Sequence, residues 1–127
     1  MIALGVGCRK GCEAEEIVAL ARTALEAHGL ALQPGDVMAS GWMKTGEQGI
    51  IQAATILGVP VVFVAQDALE AMAPWAVTRS AHVAAVHGLP SVAETAALVA
   101  AGMNAKLLGA RRVSASASCA VARGDGV

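Results

Sequence analysis

Aromatic residues are almost absent from this chain. It has no tyrosine, one phenylalanine (Phe63) and two tryptophans (Trp42 and Trp75) in 127 residues, so it lacks rings on which nucleic-acid bases could stack. An excess of either charge is missing too. Nine Lys and Arg stand against ten Asp and Glu, a formal net charge of −1, and without a basic field nucleic acid is not an expected partner. The three cysteines, Cys8, Cys12 and Cys119, are too few for a disulfide framework. A chain this long can bury a core without one. They are read as thiols of a cytoplasmic protein. No run of about 18 apolar residues occurs, because Gly, Pro or charge interrupts each, and no membrane association is expected. Met1-Ile2-Ala3-Leu4 carries neither a basic leader nor a cleavage pattern.

What is abundant is small and apolar. Hydrophobic residues make up 56% of the chain, mostly Ala and Val, as suits helices packed closely on a parallel sheet. "IALGVG" reads as a buried strand, and Glu13 to His28 as an amphipathic helix stopped by Gly29. A turn at Gln33 to Gly35 leads to the strand "DVMASGW". A second helix spans Gly46 to Leu57 and ends at Gly58. "VPVVFVA" is apolar on both faces, the pattern of a central parallel strand. Ala65 to Met72 is a candidate short helix stopped by Pro74, and "HVAAVHG" fits a strand or a short helix equally. In "LPSVAETAALVAAG", Ser91 stands three residues before Glu94 and Gly102 closes the run, the pattern of a helix opened by a capping box. "KLLGARRVSASASCAVAR" alternates like a strand pair with a turn near Gly109.

These elements form one α/β domain over residues 1–127: a three-layer, open, mostly parallel sheet with helices on both faces and a C-terminal strand pair. Ligands of such sheets bind beyond the carboxyl ends of the strands. That edge should carry Gly7 to Cys12, Ser40 to Glu47, Ala65 to Asp67 and His87 to Ser91.

The segment "GVGCRKGC", Gly5 to Cys12, invites a nucleotide reading and fails it. Lys10 stands where the dinucleotide fingerprint needs its third glycine, and the second strand ends in Ser40-Gly41-Trp42 without an acidic residue. No Gly-Lys-Ser/Thr follows, so the segment is not a Walker loop. Cys8 and Cys12 have no second Cys or His pair to complete a metal site, and His28, His82 and His87 are scattered. No metal or cofactor is expected. A reactive, low-pKa thiol beside Arg9 and Lys10 is physically reasonable, but a turn filled by small apolar residues is favoured. Arg9, Lys10 and the first-turn amides of the following helix suit a carboxylate ligand; two solvated loop cations explain the motif equally well. In "WMKTGEQG" (Trp42 to Gly49), Lys44 and Glu47 either orient a ligand and move a proton or form an ordinary salt bridge.

Three pieces taken together, "GVGCRKGCEAEEI", "KTGEQGI" and "GLPSVAETAALVAAG", resemble the CobE/CbiG C-terminal domain family of cobalamin biosynthesis, in its stand-alone CobE form. The likeness runs from Ile2 to about Ala122 and leaves no room for the other CbiG domain. It implies a role in building the corrin ring. Full-length CbiG opens a lactone on a cobalt-precorrin and releases acetaldehyde, an activity not carried over intact when half of that protein is missing. The partners implied are corrinoid or precorrin intermediates, which are polycarboxylate tetrapyrroles, and other enzymes of the pathway. The candidate ligand-binding residues are then Gly7, Cys8, Arg9, Lys10, Gly11, Trp42, Lys44 and Ser91. For a hydrolase, Glu47 or Glu94 would be acid or base and Lys44 would stabilise the oxyanion. A third reading is a structural subunit of another pathway enzyme.

Overall fold

The computed structural model describes residues 1–126. In chain order its elements are β1 (Ile2–Cys8), α1 (Ala14–Ala27), β2 (Val37–Gly41), α2 (Gln48–Leu57), β3 (Val61–Val64), α3 (Gln66–Met72), α4 (Ala81–His87), α5 (Val92–Ala101), β4 (Lys106–Leu107), β5 (Arg112–Val113) and β6 (Ala117–Arg123). One open sheet runs β3-β2-β1-β6-β4, with β5 also paired to β6. β1, β2 and β3 are parallel, whereas β6 runs antiparallel to β1 along the whole of both strands, Ile2 opposite Arg123 and Cys8 opposite Ala117. Antiparallel pairing therefore takes a larger share of the sheet than expected.

Strand alternation assigns the two faces. Ile2, Leu4 and Val6 of β1 turn toward α1 and α2, where they meet Ile17, Leu20 and Ile50. Ala3 turns the other way, onto Ala93, Ala97 and Ala101 of α5. A second apolar cluster on that face joins Leu69 of α3 to Ala39, Val92 and Ala96. Helix α5 is enclosed on nearly all sides, eight of its ten residues being buried; its Ala-rich sequence lets it approach the sheet closely. Two polar ties pin the strand ends. The Asp36 carboxylate accepts the Ile2 amide at 2.8 Å and the Gln33 amide at 2.7 Å, and the Ser40 hydroxyl donates to the Val6 carbonyl at 2.6 Å.

Several expectations change. Val61–Val64 is an edge strand, not a central one, and Val62 is 42% exposed. Its apolar run does not report centrality, because β-branched residues also suit an edge. "HVAAVHG" is helical and has no fully buried residue, which is why its periodicity was ambiguous. Pro74 lies inside a short 3-10 turn, Ala73–Trp75, directly after α3. The tight turn of the C-terminal hairpin falls between β5 and β6, closed by Ser114 N–H donating to the Ala117 carbonyl at 2.9 Å. Gly109 occupies a jog between β4 and β5. Among the described residues no single helix is long and apolar enough to cross a membrane; α4 and α5 reach that length only jointly, across a 72° bend.

Candidate functional site

The carboxyl ends of β1 and β2 and the amino end of β6 meet at one edge of the sheet, where a cleft of about 610 Å³ opens. Four chain segments wall it. The first is the β1–α1 turn, supplying Gly7, Cys8, Arg9 and Lys10. Cys12 N–H donates to the Arg9 carbonyl at 3.1 Å, and Gly11 has φ +80, which a type II turn requires at its third residue and side chains resist. That turn explains why the last glycine of "GVGCRKGC" misses the dinucleotide register.

The second wall is the stretch around the β5–β6 hairpin, with Arg111, Val113 and Ser114 to Ser118. Arg9 N–H donates to the Ser116 carbonyl at 2.8 Å, joining the first wall to the second. The hairpin is tied down by Glu16 of α1, whose carboxylate accepts the Ser114 hydroxyl, the Ser116 amide at 2.7 Å and the Ser116 hydroxyl at 2.8 Å. These bonds, that of Ser114 foremost, hold the Glu16 carboxyl below the usual range. Met43 and Lys44 form the third wall, Ser80 with His82, Val83 and His87 of α4 the fourth, and Val92 opens α5 beneath.

The lining is electrostatically one-sided. Arg9, Lys10, Lys44 and Arg111 face the cleft with His82 and His87, and no carboxylate is among the lining residues. Val83, Val92, Val113 and Met43 supply apolar surface beside them. A smaller hollow of about 300 Å³ adjoins the cleft through Lys10, Met43 and Lys44, and adds Thr45, Gly46 and Glu47. Glu47 bridges the first two strand-to-helix loops, accepting the Gly11 amide at 3.3 Å.

Of the residues singled out from sequence, Gly7, Cys8, Arg9, Lys10 and Lys44 line the cleft, and Glu47 lines the adjoining hollow. Gly11 is exposed in the turn and does not line the cleft. Trp42 is half exposed outside the cleft, its indole N–H donating to the Gln66 side chain at 2.8 Å. Ser91 is fully buried and caps α5, its hydroxyl accepting the Glu94 amide at 3.2 Å. The reciprocal half of the expected capping box is absent. The Glu94 carboxylate is itself fully buried and accepts the Val77 and Thr78 amides, the Thr78 hydroxyl and the Arg111 amide instead. It therefore has no access to a ligand in the cleft. Nor do the first-turn amides of α1 open there: no residue of that turn is among the lining residues. The helix starts in the lining belong to α4, through Ser80, His82 and Val83, and to α5, through Val92.

Cys8 does not have the chemistry of a reactive thiol. Burial pushes its pKa up to about 12, Lys44 opposing and Cys12 and Glu47 reinforcing the shift. Cys12 is buried, and its sulfur accepts the Ser116 hydroxyl at 3.4 Å. Among the described residues no group of three or more His, Cys, Asp or Glu side chains is placed to hold a metal ion. The hairpin serines, Arg111, Ser80, His82, Val83 and Met43 were not singled out from sequence. The Ser/Ala alternation of Ser114 to Ser118 was the visible signal, and it reads equally as an ordinary strand.

Comparison with known proteins adds a family. The family described as "Cobalamin synthesis G C-terminus" matches residues 2–122. A protein CobE of Sinorhizobium sp is 42% identical over 123 residues, covering 95% of this chain and 79% of that relative. The crystal structure of CobE, a protein from the cobalamin (vitamin B12) biosynthetic pathway, superposes with a TM-score of 0.90 at 40% identity, covering 100% of this chain and 92% of that one. The cobalamin biosynthesis protein chiG of Agrobacterium tumefaciens gives 0.77 at 37% identity over 98% of this chain and 99% of its own. A cobalamin biosynthesis protein G homolog of Sulfolobus solfataricus gives 0.73 at 25% identity; this chain covers 37% of it.

Proposed function

This chain belongs to the cobalamin synthesis G C-terminus family, and on that footing we propose that its cleft binds a corrinoid or precorrin intermediate and assists its modification or its transfer to the next enzyme. The observation that carries the proposal is the one-sided lining: four Lys or Arg side chains and two histidines with no carboxylate among them. Corrin precursors carry many acetate and propionate groups around a broad, partly apolar ring. Guanidinium and ammonium groups on the walls pair with such carboxylates through charge-assisted hydrogen bonds, while the valines and Met43 offer the ring apolar contact. The volume of about 610 Å³ falls within the range of about 300–1,000 Å³ common for small-ligand sites. Its open side leaves part of a large ring uncovered, as transfer to a second protein requires.

Titration with hydrogenobyrinic acid, followed by the corrin absorption bands, tests the reading. A saturable spectral change at micromolar protein is expected, weakening as salt rises. No change at tens of micromolar protein would sink it.

Lactone hydrolysis is the second reading, and the juxtaposition of Glu47 and Lys44 in the adjoining hollow favours it. It predicts acetaldehyde release from a ring-derived lactone, abolished in Glu47→Gln. Undiminished release in that variant would remove Glu47 from the mechanism.

A further inference from the structure

Glu94 is fully buried, and its hydrogen-bond partners are neutral. Oε1 accepts the Val77 and Thr78 amides, each at 2.7 Å. Oε2 accepts the Thr78 hydroxyl at 2.6 Å and the Arg111 amide at 2.8 Å. Burial opposes the charge, yet these bonds outweigh it and hold the carboxyl below its ordinary range.

Every donor lies at the root of a cleft wall. Val77 and Thr78 lead into Ser80 and α4, which carries His82 and His87 into the cleft; Arg111 begins the stretch that leads to Val113. Both walls are thinly seated: α4 packs only Val83, itself partly buried, against the core. α4 has no buried residue, and both residues of β5 are exposed. The remaining polar ties of α4 are a Ser80 amide bond to the Pro90 carbonyl at 2.8 Å and a Gln66 side-chain bond to the His87 carbonyl at 2.9 Å. Helix α5, by contrast, has eight of its ten residues buried.

Resting on the ring-binding reading above, we propose that Glu94 is the positioning residue of the cleft: it fastens two thinly packed walls to α5 so that Arg111 and α4 face one ligand together. The carboxylate supplies acceptors on both oxygens. A glutamine of the same shape keeps one oxygen and turns an N–H₂ group toward amide donors, so at least one wall loses its anchor.

The test compares backbone amide exchange in the ligand-free protein with hydrogenobyrinic acid affinity. In Glu94→Gln, residues 77–87 and 111–113 should exchange at least tenfold faster while β1 keeps its protection, and affinity should fall tenfold or more. Leu25→Ala, which loosens the opposite face, should leave affinity unchanged and so separates positioning from general destabilisation. Should Glu94→Gln fail to fold, Thr78→Val removes one donor only and should show the same pattern at about threefold. Unchanged exchange of the walls, or loosened walls with unchanged affinity, overturns the proposal. If the wild-type protein binds no ring, the ring reading falls, and the exchange comparison alone decides whether Glu94 fastens the walls.

Discussion

No side chain fits between Gly5 on β1 and Ala93 on α5: a Cβ on Gly5 would stand 1.8 Å from the Ala93 carbonyl oxygen and 2.7 Å from the Ala97 amide nitrogen. Both obstacles are backbone, so neither can rotate away. The close approach lets α5 lie on the middle of the sheet and brings Val92 to the cleft. Gly5→Ala must push helix and sheet apart, and it should cost about 3 kcal/mol or more, at or above the upper end of ordinary overpacking. Urea unfolding of the two proteins checks this. A loss under 1 kcal/mol would mean that α5 shifts easily and that the contact is not a constraint.

Cys8 should be a slow thiol despite three cations nearby. With its pKa pushed up to about 12 by burial, about one molecule in ten thousand carries a Cys8 thiolate at pH 8. Alkylation by iodoacetamide, read by peptide mass, should therefore lag far behind that of a free cysteine and rise about tenfold per pH unit through pH 10. Cys8→Ser should retain ring affinity. Rapid labelling at pH 7 would show that Lys44 dominates over burial.

The contrast between Gly5 and Glu94 marks where sequence reading reaches. β1, α1, α2 and α5 are legible because their apolar spacing and stop residues are local, and the cationic turn falls at the ligand edge by the general rule for parallel sheets. Glu94 matches a capping box by spacing, but its carboxylate is claimed by amides 16 and 17 residues away along the chain, a choice no local pattern encodes. α4 was ambiguous because a segment lying across a cleft has no buried face to impose a period. Val61–Val64 read as central because composition cannot distinguish an edge strand from an inner one when the same β-branched residues suit both. The serine hairpin is illegible for a related reason: its anchor, Glu16, lies some hundred residues earlier.

That anchor gives the hairpin a pH dependence. The folded Glu16 carboxyl is held below its ordinary value by Ser114 and Ser116, so its stabilising bonds are fully present above the unfolded carboxyl range. They are lost as pH falls through the lower, folded value. Amide protection of Ser114 to Ser118 should hold at neutral pH and fade below about pH 4, before the remainder of the sheet opens. Glu16→Gln should abolish this acid step. An identical acid profile in the variant would show that another group controls the hairpin.

The cations of the cleft make separable predictions. Arg111 is partly buried and stands in the wall that Glu94 fastens, whereas Arg9 and Lys10 are exposed on the turn. A guanidinium already drawn from water loses less on pairing and forms the stronger bond to a carboxylate. Arg111→Ala should therefore weaken hydrogenobyrinic acid binding about thirtyfold, Arg9→Ala or Lys10→Ala about fivefold, and Arg22→Ala, an exposed residue on α1 outside the cleft, not at all. Methyl-esterifying the ring carboxylates should erase the differences among the variants, because the ester retains the apolar ring but gives the cations nothing to pair with. Equal affinity for acid and ester would assign the binding to apolar contact and remove the cations from the account.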